Sequence, residues 1–269
     1  MTFIVVNFIF IILIFLISAV IARILIPRIL LISLRKKLFD IPDDRKVHKR
    51  AIPRLGGVSF FPTTLFAFCL VYAFRLLDGD SISTLYASYL LPELLLFACG
   101  MTLLYLTGIA DDLVGVRYRQ KFAIQIFCAC LFPLSGLWIN DLYGLFGIHE
   151  LSVYVGIPFT ILTVVFITNA INLIDGIDGL ASGLSSVALL IFTFLFIEKG
   201  LWSYAMLAAG TFGVLVPFFY YNVFGSVERA RKIFMGDTGS LTLGYTLSFL
   251  AIKYSQHNTD IMPYIEGIL

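Results

Sequence analysis

Charge is what this chain has least of. Only 13% of its 269 residues are Asp, Glu, Lys or Arg, against 59% hydrophobic, and the mean hydropathy is +0.96. A water-soluble domain has no use for that excess of apolar sequence, so a polytopic membrane protein is expected. The net charge of +2 gives no reason to expect a nucleic-acid partner. The four cysteines, Cys69, Cys99, Cys128 and Cys130, sit inside apolar runs without metal-site spacing. They read as small buried hydrophobes, and no disulfide framework is implied. The three histidines, His48, His149 and His257, form no cluster. Repeats, low-complexity segments and a soluble domain are lacking. No Lys or Arg precedes the first apolar run, whose first basic residue is Arg23. That argues against a signal peptide and for a first membrane span with its N-terminus outside.

What the chain does have is apolar runs of spanning length. Eight are expected, at about 3–32, 55–75, 92–110, 122–139, 152–168, 180–197, 202–222 and 239–256. The third and fifth are the marginal ones, with polar motifs at their ends. Trp138 and Trp202 fit an interfacial aromatic belt. The connections after spans one, three and seven hold Arg35, Lys36, Lys37, Arg45, Lys46, Lys49, Arg50, Arg54, Arg117, Arg119, Lys121, Arg229, Arg231 and Lys232. The opposite side holds only Arg75, Lys199 and Lys253. Fourteen cations against three make the first set of connections cytoplasmic, because basic loops stay inside.

The acids share that side. In Asn169-Ala-Ile-Asn172-Leu-Ile-Asp175-Gly-Ile-Asp178-Gly-Leu180, polar residues recur every third position. On a helix such positions share nearly one face, so two amides and two carboxylates are expected to converge at a helix end. Acids between apolar segments are costly unless they bind something, and a hard cation such as Mg²⁺ suits one or two carboxylates plus a substrate phosphate. Gly108-Ile-Ala-Asp111-Asp112 brings two adjacent carboxylates, whose repulsion a cation would relieve. As easily, they are a solvated helix end. Asp237, in Phe234-Met-Gly-Asp-Thr-Gly-Ser240, opens the last span, where an acid can be a cap or the helix start can receive phosphate. The loop from Asp40 to Gly57 is dense in cations. It reads as ordinary inside charge or as a clamp for a diphosphate. Glu93 beside Pro92 reads as an outer cap or interface residue.

Together these motifs suit Mg²⁺-dependent transfer between a nucleotide diphosphate and a lipid phosphate at a membrane face. Ile52-Pro-Arg-Leu-Gly-Gly57, Gly108 to Asp112, Asn169 to Leu180 and Phe234 to Ser240 resemble, in order, the polyprenyl-phosphate N-acetylhexosamine-1-phosphate transferases. The resemblance covers about residues 40–245 and is closer to the WecA/TagO-like branch than to MraY. It implies an all-α bundle of about eight spans with its site at the cytoplasmic face of a bacterial inner membrane. It implies a UDP-N-acetylhexosamine donor, a polyprenyl (undecaprenyl) phosphate acceptor, release of UMP, and Mg²⁺ or Mn²⁺. By resemblance Asp111, Asp112, Asp175 and Asp178 are catalytic. Lys49, Asn169, Asn172, Asn222 and Phe234 bind substrate, and Asp237, Asp112 and Asn172 form the metal site. Family members usually carry two further spans and a His-x-His-His-like loop. The expectation here is one transmembrane catalytic domain, 1–269, without them. A homodimer is left open, since Gly144 and Gly147 could serve helix contacts. The alternatives are an MraY-type transferase, a non-catalytic relative, and a transporter, which would put acids deep in the spans or on both faces.

Overall fold

A backbone in lipid must satisfy its own N–H and C=O groups, and apolar runs of this length do so by closing as helices. The computed structural model describes residues 2–36, 38–40, 52–77, 81–226 and 228–256. Among the described residues eight α-helices follow in order: α1 (Thr2–Arg35), α2 (Phe60–Leu77), α3 (Ser81–Val114), α4 (Tyr118–Leu134), α5 (Val153–Ile174), α6 (Leu180–Glu198), α7 (Trp202–Val223) and α8 (Gly236–Ser255). Two short strands, β1 (Phe39–Asp40) and β2 (Ile52–Pro53), pair antiparallel, and a 3-10 turn over Leu55–Ser59 leads into α2. The all-α polytopic architecture is as the sequence leads one to expect.

Among the described residues six helices are long and apolar enough to cross a membrane: α1, α2 with its 3-10 turn, α3 from Leu90, α5, α6 and α7. The third and fifth spans, expected to be marginal, are among them. The two that fall short are α4 and α8. The reason for α8 is its position. It is buried along nearly its whole length and packs on α3, α5 and α6, so it needs no lipid-facing apolar surface. Its Thr242, Thr246 and Ser248 hydroxyls donate to carbonyls one turn back, which satisfies them inside the bundle. Without a hydrophobic force between helices in lipid, close packing over small residues holds the bundle. A Cβ on Gly108 would stand 2.4 Å from Thr238 Cα, and one on Gly244 2.6 Å from Thr168 Cα. Glycine therefore lets α3 and α5 touch α8.

The helix ends away from the basic connections are tied by charge. Glu93 accepts from Lys253 Nζ at 2.7 Å and from the Tyr204 hydroxyl at 2.9 Å, joining α3, α8 and α7. Glu93 is therefore neither a cap nor an interface residue; it lies one helical stretch inside α3, which begins earlier than expected. Trp202 is buried and meets Phe8 of α1 edge-on at 5.7 Å, so it packs between helices rather than in a belt. Gly144 and Gly147 both take positive φ in a tight turn, which is what they serve instead of a helix contact. All four cysteines are free, but only Cys128 is buried; Cys69, Cys99 and Cys130 lie on helix surfaces.

Candidate active site

Three backbone hydrogen bonds bring two motifs together. Phe234 N–H donates to Pro53 O at 2.8 Å, Gly56 N–H to Phe234 O at 2.9 Å, and Gly57 N–H to Met235 O at 2.8 Å. The segment before α2 thus lies along the segment that opens α8. The contact is closest at Gly57, where a Cβ would stand 2.1 Å from Gly239 Cα. Gly236 must be glycine twice over. Its φ is +75°, and a Cβ would meet Arg54 O at 2.1 Å and both Asp112 oxygens within 2.8 Å.

The N-terminus of α8 is capped from another helix. Asp112, near the end of α3, accepts from Asp237 N–H at 2.8 Å, from Thr238 N–H at 3.0 Å and from the Thr238 hydroxyl at 2.6 Å. Free N–H groups and the positive end of the helix dipole favour a carboxylate there. Asp112 therefore has an anchoring role that its motif alone did not reveal. Its neighbour Asp111 points the other way, accepting from Val116 N–H at 2.6 Å and from Lys121 Nζ at 2.8 Å.

Lys121 is the residue the sequence reading missed. From the first turn of α4 its ammonium bridges Asp111 and Asp237. Counted among fourteen inside cations, it looked like ordinary loop charge. The available signal was Gln125, four residues on and so on the same helix face. Two polar groups on one face of an apolar helix ask for partners. Gln125 has one: it exchanges hydrogen bonds with the Asn169 amide of α5.

The polar face of α5 is shorter than expected. The helix ends at Ile174, and the chain turns through Gly176 to Gly179, whose φ is +74°. Asn169, Asn172 and Asp175 remain in line, while Asp178 leaves it and pairs with Lys232 of the α7–α8 link. Asn172 donates to Asp237 Oδ1 and, at 2.7 Å, to Ser240 Oγ. Its amide thus orients Asp237. Asn222 is 5% exposed, and both ends of its amide serve backbone. It accepts from Gly179 N–H at 2.7 Å and donates to Ile233 O at 3.0 Å, tying the α5–α6 turn to the α7–α8 link. Phe234 is half-buried beside this link. Lys49 lies outside the described residues.

Asp175, just past the end of α5, carries the clearest electrostatic mark. Burial pushes its carboxyl well above the usual carboxylate range. The Asp237 and Asp112 charges push the same way, while a hydrogen bond from Gly236 N–H and the Arg54 charge oppose them. Among the described residues, Asp111, Asp112, Asp175 and Asp237 gather beside Lys121 and Arg54, four carboxylates against two cations. That surplus of hard oxygen donors fits a divalent cation. Among the described residues no group of three or more His, Cys, Asp or Glu side chains is arranged around a metal position. A cation here would take two carboxylates at most and complete its shell with water and phosphate, as Mg²⁺ does.

Comparison with known proteins gives the family. The profile of glycosyl transferase family 4 matches residues 94–255, which hold Asp111, Asp112, Lys121, Asn172, Asp175 and Asp237. A probable undecaprenyl-phosphate N-acetylglucosaminyl 1-phosphate transferase of Bacillus subtilis is 32% identical over 222 residues, 82% of this chain and 56% of that protein. The undecaprenyl-phosphate alpha-N-acetylglucosaminyl 1-phosphate transferases of Yersinia pestis and Escherichia coli K12 are 30% and 28% identical. They cover 84% and 88% of this chain, and 58% and 60% of their own lengths. The chain thus spans less than two thirds of these relatives. It belongs to glycosyl transferase family 4.

Proposed function

We propose that this chain carries the site at which N-acetylhexosamine-1-phosphate, with N-acetylglucosamine the expected sugar, passes from a UDP-sugar to undecaprenyl phosphate. The observation that carries this reading is the convergence of Asp111, Asp112, Asp175, Asp237 and Lys121 from four elements at one membrane face. The relatives' names supply the lipid and the sugar. The basic connections support a cytoplasmic position for that face, where the sugar nucleotide is found and the lipid phosphate can enter from the bilayer.

The reaction is a single in-line displacement. A bond forms between a lipid-phosphate oxygen and the β-phosphorus, the bond from that phosphorus to the bridging oxygen breaks, and UMP leaves with the electron pair. Asp237 and Asp175 would hold Mg²⁺, or Mn²⁺ in its place, and the cation would offset the diphosphate's charge. Asn172 and Lys121 hold the Asp237 carboxylate still, and Asp112 fixes the start of α8 on which it stands. Asp111, held by Lys121 and the Val116 N–H, keeps the attacking oxygen unprotonated. A phosphate monoester is already largely ionised near neutral pH, so most of the rate comes from positioning and charge neutralisation.

The test is transfer of label from UDP-[14C]GlcNAc into undecaprenyl phosphate by the purified chain with Mg²⁺. Label is expected in the lipid phase as an acid-labile sugar diphosphate. Label confined to the aqueous phase, or lipid labelling undiminished in Asp175→Asn, would overturn the reading.

A further inference from the structure

Arg23 sits where a membrane protein seldom puts a cation without purpose. The helix α1 is apolar from Ile4 onward. Nineteen residues separate Ile4 from Arg23, about 28 Å of helix at 1.5 Å per residue. That is close to the ~30 Å hydrocarbon core, so Arg23 lies toward the inner end of the span, whose apolar stretch runs on to Arg35. The neighbouring helix agrees: Arg23 is level with Tyr220 and Tyr221, within a turn of the end of α7 at Val223.

The side chain is held in place. Its guanidinium donates to the Tyr221 hydroxyl at 2.7 Å and lies 5.5 Å from the Tyr220 ring centre and 5.3 Å from that of Tyr221. Among the described residues no carboxylate pairs with it. A guanidinium has five N–H donors, and this one uses one of them, leaving a fork suited to phosphate.

Beside it runs a groove of about 430 Å³ between α1 and α7, walled by Leu16, Ala19, Val20, Val216 and Pro217. These residues precede Arg23 along α1, or lie before Tyr220 along α7, and are therefore deeper in the membrane. The arrangement is an apolar trough with a cation at its headgroup end. That is the shape and charge of a phospholipid of the inner leaflet.

We infer that the α1–α7 groove is a resident site for an anionic diacyl phospholipid, with an acyl chain in the trough and its phosphate on Arg23. The polyprenyl phosphate acceptor is the other lipid phosphate to consider. Neither α1 nor α7 supplies a side chain to the Asp111–Asp237 cluster, so a phosphate held on Arg23 is not held by the residues of that cluster. The groove suits a structural lipid.

The experiment is native mass spectrometry of the detergent-purified chain titrated with phosphatidylglycerol, phosphatidylcholine or undecaprenyl phosphate. One phosphatidylglycerol should be retained, with a preference over phosphatidylcholine of about fivefold, the worth of one cation near an anionic lipid. Arg23→Gln should remove that preference. Val216→Trp, a change at a 43% exposed position, should weaken retention by filling the trough, and it reads the site even if Arg23→Gln folds poorly. Arg28→Gln should change nothing, since five residues on it projects about 140° around the helix from Arg23. Equal retention of the two phospholipids, equal loss in Arg28→Gln, full retention in Val216→Trp, or undecaprenyl phosphate retention that falls in Arg23→Gln would each overturn the proposal.

Discussion

Replacing Lys121 by Met keeps the stem and the helix propensity and removes the charge. The ammonium lies 2.8 Å from Asp111 and also pairs with Asp237. The three side chains are only 15%, 13% and 22% exposed. At an effective dielectric of 20 each contact is worth about 6 kcal/mol of Coulomb attraction before desolvation. The measurable quantity is smaller, because the intact site already bears the cost of burying its charges. Removing one partner from a buried pair typically costs about 3–5 kcal/mol, since the charge left behind has no compensation. Two carboxylates are stranded here, so a loss of about 4 kcal/mol is expected for Lys121→Met. Equilibrium unfolding in mixed micelles measures it. The double variant Lys121→Met/Asp237→Asn should be less damaged than the sum of the singles, with a coupling of about 1–3 kcal/mol. Added Mg²⁺ should stabilise Lys121→Met more than the parent, because Asp111 and Asp237 then lack the ammonium that competes with the cation. A loss below about 1 kcal/mol, or strictly additive singles, would refute the bridge as a buried electrostatic link.

Further expectations rest on single contacts. Gly57→Ala should lower the unfolding free energy by about 3 kcal/mol or more, because backbone atoms of Gly239 cannot yield to the new methyl; a thermal melt checks it. Asn222→Leu leaves the Gly179 N–H and the Ile233 carbonyl without their partner, a cost of about 2–4 kcal/mol for two buried polar groups. Limited proteolysis at the α7–α8 link should then quicken. Asp178→Asn, by contrast, breaks an ion pair whose acid is 35% exposed, and the same melt should move by less than the equivalent of about 1 kcal/mol.

Much of this was legible in the sequence. Eight apolar runs gave eight helices, and the asymmetry of Lys and Arg put the acid-bearing ends on one side. Marginal hydropathy was expected in the third and fifth spans and falls instead in α4 and α8, because a helix enclosed by others, as α8 is, can carry Gly, Ser and Thr where a lipid-facing one carries Leu. Periodicity placed Asn172 and Asp175 correctly but carried Asp178 too far, since Gly176 and Gly179 end the helix before the third repeat. Asp112 shows a different limit. A carboxylate that caps a helix more than a hundred residues away leaves no local pattern, and the cap appears only once α3 and α8 cross at Gly108. Asn222 is similar: its two backbone partners belong to a turn and a link that neighbour α7 only in three dimensions. Lys121 was hidden by being one basic residue among many.

The most direct test of the central claim is UMP release from UDP-GlcNAc by the purified chain with Mg²⁺, with and without undecaprenyl phosphate, beside Asp237→Asn. Direct transfer at the carboxylate cluster predicts release that requires the lipid and falls at least a hundredfold in the variant, as loss of a group holding transition-state charge does. Release without lipid would contradict the single displacement and point to an aspartyl intermediate. Release that survives Asp237→Asn would contradict the placement of the reaction at this site.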